Sequence, residues 1–378
     1  MLILNQPASL ATLSLGNQPY PGGNQSHASV RAALIDMAAY ASSSGPQSGG
    51  TLTINSQSLG SYDYNIVTGS ATVSSFTNAD WFTATEDSRS AFIVVNGNLT
   101  IDAGQTFTPS NRKLFTAIYV DGDLTVNGAL SMSSRGANHS AGAGNVTAAD
   151  IRIADGTFAT LTNPTITATG GTGATGGSST GAAGNTATRA PGGGGAGGGT
   201  GAPRPGGNGA AGTAFSGGAA GGGAGNNAGG SAGTANGDDG GSGGAGDGGT
   251  FPSGGGGAGN AGGAAGGSSS NPGAAGSNGT GGVLLVFATG SITVDASGSI
   301  VANGADGGDG GDDGGAGAAS GGGGSGGGVV FAMYAGSLTN NGTIAAAGGA
   351  AGGSPDVTAG SVDGGAGGDG SAETEAES

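Results

Sequence analysis

Between residues 51 and 168 apolar and polar positions alternate in short runs, each closed by Gly, Asn or Asp, and this pattern predicts β-strands. The runs are TLTINSQSLG, YDYNIVTG, ATVSSF, WFTATE, AFIVVNGNLTI, AIYVDGDLTV and ADIRIADG. Two of them hold copies of one phrase: residues 92–104 read FIVVNGNLTIDAG and residues 118–128 read IYVDGDLTVNG. Each copy is an apolar strand, an Asn-Gly or Asp-Gly pivot suited to a tight turn, a second strand of alternating character, and another turn. The phrase returns as VLLVFATGSITVDASG over residues 283–298 and as VVFAMYAGSLTNNG over residues 329–342. Four copies make an internal repeat. After three of them the chain runs straight into small residues, so strands and glycine tracts read as parts of one structure, a β-platform or a β-helix-like stack. One helix is predicted over residues 27–41, where Val30, Leu34, Met37 and Ala41 recur at helical spacing. We read it as a packed cap more than as a docking element.

The glycine tracts carry a period of their own. Gly recurs at every third position at 192, 195, 198 and 201, at 237, 240, 243, 246 and 249, at 273, 276, 279 and 282, and at 308, 311, 314 and 317, with shorter runs at 170–176, 206–212, 256–262 and 304–310. Three residues per turn is the repeat of an extended left-handed helix that makes no internal hydrogen bonds. Packed side by side, such helices can bond to one another through their backbones, provided that inward edges carry no Cβ. Collagen shares the period but needs long unbroken repeats rich in proline. Here the runs are short and Pro numbers 12. The expected fold is therefore all-β and irregular: short strands plus a bundle of polyglycine-II helices, with minimal α-helix. Its parts are an attachment segment (1–50), a β-rich platform (51–168), the bundle with strand pairs at 283–301 and 329–345 (169–370), and an acidic tail (371–378).

Composition supports packing over disorder. Of 378 residues 95 are Gly, yet only 8% are charged, whereas disordered chains are rich in Lys, Glu and Pro. The net charge of −16, with 8 basic residues of which only Arg189 and Arg204 lie beyond residue 160, excludes a nucleic-acid partner. Cys is absent, which removes thiol chemistry. The opening MLILNQPASLATLSLG has neither the basic start nor the apolar run of a signal peptide, and no membrane insertion is expected.

Gly-rich tracts broken by short variable segments, over about residues 165–370, resemble the distal adhesins of T-even-type phage tail fibres. The stretch IVVNGNLTIDAGQTFTPSNRKLFTAIYVDGDLTVNGALSMSSRGA is similar to a segment of many glycine-rich phage tail or fibre proteins. This resemblance implies a polyglycine-II sandwich with receptor-binding loops at one tip, in a virion component that acts outside the cell and is expected as a homotrimer. The β-rich N-terminal part is larger than that pattern contains, and it is expected to dock on other virion proteins.

Catalysis has little footing. His27 and His139 are the two histidines, and neither lies near a Ser or acid phrase that suggests a triad. No cofactor is implied. Asp306, Asp309, Asp312 and Asp313 could offer oxygen ligands to calcium, but the apolar residue that recurs in calcium β-rolls is missing, and outward acids that keep a bundle soluble explain them better. The segments that interrupt the glycine period hold its large side chains. Arg189, Arg204, Phe215, Asn226, Asn227, Phe251, Pro252 and Asn271 are the expected receptor contacts, because Arg and aromatics dominate binding hot spots and stiff scaffolds present variable loops. The function expected is non-enzymatic binding of a host surface protein or glycan. The alternatives are a head-fibre or decoration protein without a receptor, a secreted antifreeze, which would need a flat face of regularly spaced small or Thr residues, and a bacterial glycine-rich surface protein.

Overall fold

The computed structural model describes residues 12–15, 34–35, 38, 45–54, 57–74, 81–82, 90–111, 113, 116–136, 281–307, 324–353 and 366–377. Among these the chain is all-β, and helical backbone occurs only at Leu34, Ile35, Ala38 and Trp81. The first strands are β1 (Thr12–Leu15), β2 (Gln47–Ile54), β3 (Gln57–Thr68) and β4 (Ala71–Val73). Each copy of the repeated phrase then contributes three. The first copy forms β5 (Ser90–Asn96), β6 (Leu99–Ile101) and β7 (Thr106–Phe107). The second forms β8 (Thr116–Val120), β9 (Leu124–Val126) and β10 (Ala129–Ser131). Beyond the long glycine tract come β11 (Val283–Ala288), β12 (Ile292–Val294) and β13 (Ser299–Val301). The last copy forms β14 (Val329–Tyr334), β15 (Leu338–Asn340) and β16 (Thr343–Ala345), and β17 (Ser371–Ala376) closes the series.

Corresponding strands of successive copies stack in parallel into three sheets. The largest runs β1-β2-β3-β5-β8-β11-β14-β17, the second β4-β6-β9-β12-β15 and the third β7-β10-β13-β16. The β2–β3 hairpin is the antiparallel exception. The chain thus visits each sheet once per copy, so every copy is one coil of a three-faced parallel β-solenoid. The interior is filled by alternate side chains: Ile93, Val95, Ile118, Val120, Leu284 and Val286 from the large sheet meet Leu99, Ile101, Leu124, Val126, Ile292 and Val294 from the second. Leu130 and Ile300 complete the core from the third.

Two observations refine the sequence reading of these units. Each phrase carries a third strand of two or three residues, where strand pairs were expected. Residues 371–378, expected as an acidic tail, supply β17, which pairs with β14 in register from Val329↔Ser371 to Tyr334↔Ala376. Half-buried Glu373 and exposed Glu375 belong to this edge strand, and charge there disfavours pairing with another chain.

The middle strands of the large sheet, β5, β8 and β11, are buried on both faces, as their unbroken apolar runs require. The sheet's outward side chains Tyr62, Phe92, Val94, Leu285, Phe287 and Phe331 are all at most 2% exposed. Tyr62 and Phe92 meet edge to face at 5.5 Å. Within the predicted helix, Leu34 is buried and Ile35, off the apolar series, is 40% exposed, while the Ala38 carbonyl accepts from Asn96 Nδ2 at 2.9 Å. Trp81 and Phe82 are not in the strand expected for WFTATE. They pack on Phe107, at 4.8 and 5.3 Å between ring centres.

Candidate functional site: the glycine-packed corner

The short strands of the third sheet end in small residues, and from there the chain must turn back to the large sheet. All three glycine tracts connect the third sheet back to the large one in sequence: 132–282 between β10 and β11, 302–328 between β13 and β14, and 346–370 between β16 and β17. Their described ends meet at one corner of the coil. The longest leaves and returns at a single point. Gly282 N donates to Met132 O at 2.9 Å, and β8 and β11, which flank the tract, pair directly.

The described parts of these tracts are held chiefly by backbone bonds between segments. Gly304 N and Gly307 N donate to Ala347 O and Ala350 O, both at 2.8 Å. Ser325 N and Gly328 N donate to Ala305 O and Ala302 O at 2.9 and 2.7 Å, and Gly367 N and Gly370 N donate to Gly349 O and Ala346 O at 2.9 and 2.7 Å. Each pair of donors is three residues apart and faces one neighbouring segment. Segment 324–328 bonds to 281–282, 302–307, 346–353 and 366–370, so it has neighbours on four sides. Close approach of backbones explains the glycine: a Cβ on Gly281, Gly304, Gly327, Gly349, Gly367 or Gly370 would lie under 3.0 Å from a backbone carbonyl of the next segment.

Three polar side chains finish this corner. Asn303 Oδ1 accepts from Ala347 N at 2.9 Å, Asp306 Oδ1 from Ala350 N at 2.7 Å, and Asp369 Oδ1 from Gly348 N at 2.8 Å. Asp306, a calcium candidate in the sequence, therefore spends one carboxylate oxygen on the backbone. Asp309, Asp312 and Asp313 lie outside the described residues. Among those described, no group of three or more His, Cys, Asp or Glu is placed to hold a metal ion.

At the opposite turn, between the first and second strands of each coil, a column of small polar residues stacks from coil to coil. Ser70 Oγ accepts from Asn98 N at 3.1 Å, Asn98 Oδ1 from Asp123 N at 2.9 Å, Asp123 Oδ1 from Ser291 N at 2.7 Å, and Ser291 Oγ from Ser337 N at 3.1 Å. Next to it the second sheet brings Thr72, Thr100, Thr125, Thr293 and Thr339 into register as one outward row. Neither the shared corner nor this threonine row was drawn from the sequence. The signal for the row was present in the recurring Gly-[Ser/Asn/Asp]-apolar-Thr turn, and only its stacking was missing.

The expected receptor contacts Arg189, Arg204, Phe215, Asn226, Asn227, Phe251, Pro252 and Asn271 all fall within 137–280, outside the described residues, as do His27 and His139. Among the described residues no helix is long and apolar enough to cross a membrane. No family model, no curated protein and no solved structure matches the chain.

Proposed function

We propose that the chain is a virion fibre or spike adhesin that attaches to other virion proteins through its N-terminal part and binds a host surface protein or glycan without turnover. The observation that supports this most is the placement of the long glycine tract. It is hung between two directly paired strands, β8 and β11, on a solenoid whose sheets run without interruption on either side of it. A scaffold of stacked sheets that admits a long insertion between two paired strands suits presentation of variable loops. The tracts are read as polyglycine-II segments, and the three-residue spacing of inter-segment bonds at the corner supports that reading. The test is binding of the purified full chain to intact bacterial cells, with and without residues 137–280 replaced by a short Gly/Ser linker. Loss of binding on replacement, with the fold retained, is expected. Attachment to particles without any binding to cells would instead favour a head-fibre or decoration protein.

A second reading has one observation in its favour. An antifreeze needs a flat face of regularly spaced Thr, and the second sheet supplies a row of five in register. Asp123 and Asp295, both exposed, flank that row, which places this reading second. Thermal hysteresis of a concentrated solution decides between them: none is expected of an adhesin.

A further inference from the structure

One titratable pair inside the solenoid has no part in recognition. Asp63 lies on β3 in register with Ala91, so its side chain points into the coil, and Lys113 comes from the loop between β7 and β8. Lys113 Nζ stands 3.0 Å from Asp63 Oδ2, with the two side chains 0% and 3% exposed. The Lys113 backbone is fixed as well, its N–H donating to Arg135 O at 3.0 Å. An ammonium group has three donors, and among the described residues Asp63 Oδ2 is the one acceptor that meets it. Among the described residues the two remaining donors meet no acceptor, and at 0% and 3% side-chain exposure that carries a desolvation cost. Lys is almost never fully buried in folded proteins unless paired, and here the partner is the Asp63 carboxylate.

We propose that Lys113 and Asp63 are a modification site, where they condense to an intramolecular isopeptide bond. Transfer of one proton from Nζ to the carboxylate gives a neutral amine facing a neutral acid. The nitrogen lone pair then attacks Asp63 Cγ, a C–N bond forms, and a C–O bond breaks. The departing hydroxyl takes a second proton from nitrogen and leaves as water. No electron is transferred and no co-reactant is consumed. The product amide has a single N–H in place of three charged donors, and its carbonyl oxygen remains an acceptor. In a chain without cysteine it ties β3 to the loop before β8, a covalent staple across the first coils.

Intact mass of the folded full-length protein, combined with a tryptic map, tests this. The mass alone is ambiguous, because Asp-Gly sequences such as Asp121-Gly122 also lose water through cyclisation. The map is specific: a branched species joining residues 32–89 to residues 113–135 is expected, with no cleavage after Lys113. Lys113→Arg keeps the positive charge but cannot condense, and should release the two peptides separately. Separate peptides from the wild-type protein, with cleavage after Lys113 and no branched species, would overturn the proposal whatever the variant does.

Discussion

Gly349→Ala probes the backbone packing at its tightest point. Gly349 is buried, donates to Ser325 O at 2.7 Å and accepts from Gly367 N at 2.9 Å. A Cβ there would lie under 3.0 Å from both the O and the C of Ala305, and 3.0 Å from Asp306 N, against 3.4 Å or more for ordinary contact. None of those atoms belongs to a flexible side chain. Segments 302–307, 324–328 and 346–353 must therefore part, by roughly 1 Å in an interior with little free space. Ala305 O also accepts from Ser325 N, so three inter-segment bonds are strained together. Each lost buried bond costs about 1–3 kcal/mol. One to two bonds lost at a central value of about 2 kcal/mol each, less the ~0.4–1 kcal/mol by which Ala restricts the unfolded chain, leaves about 1–3.5 kcal/mol of destabilisation. Urea unfolding followed by circular dichroism should show a lower midpoint at unchanged slope. Gly104→Ala sets the scale, since φ there is +77° and the space is open, so backbone strain alone costs about 1–2 kcal/mol. If Gly349→Ala melts with the wild type or above it, the segments are not in contact and the packing argument is wrong.

Three further outcomes follow from particular side chains. Phe107→Ala should cost about 3–5 kcal/mol as a core truncation, and it should shift the emission of Trp81, the single tryptophan, because that ring packs edge-on against Phe107. Asp123→Ala leaves Ser291 N without its 2.7 Å acceptor and should lose about 1–2 kcal/mol, whereas Asp123→Asn should restore most of it, as Asn98 serves the coil below. Burial, and then the neighbouring Tyr64, raise the Tyr62 phenol above its ordinary value of 10.0. Above that pH the unfolded chain sheds a proton that the folded chain keeps, so stability is full below pH 10 and falls at higher pH, by up to about 1.4 kcal/mol per pH unit. Chemical denaturation from pH 9 to 11 measures it, and Tyr62→Phe should flatten the fall.

Much of the solenoid was legible because its turns repeat. The sequence Gly-[Ser/Asn/Asp]-apolar-Thr marks the same bend in every coil, and Leu99, Leu124, Ile292 and Leu338 therefore reach the same register. The unbroken apolar runs at 92–95 and 283–287 were legible as strands, and burial on both faces accounts for their lack of alternation. The third strands escaped notice because β10, β13 and β16 are three residues each, set in small-residue sequence where no period shows. Pairing of β8 with β11 joins residues separated by the whole long tract, and no local pattern encodes that. Lys113 and Asp63 lie 50 residues apart and belong to no repeat. Trp81 and Phe82 looked like strand residues by composition, whereas they pack on the ring of Phe107, which is fully buried. For the proposed recognition surface, the sequence supplied the candidate side chains, and the structure describes the two ends of the tract that holds them, Met132 and Gly282.

The central claim is that glycine segments and strands form one hydrogen-bonded structure. Amide hydrogen exchange at Gly304, Gly328, Gly349, Gly367 and Gly370 tests it most directly, since each of these N–H groups donates to a neighbouring segment. Protection comparable to that of Val286 and Val330 in the adjoining strands is predicted. Exchange at the rate of an unstructured glycine linker, while the strands stay protected, would contradict it.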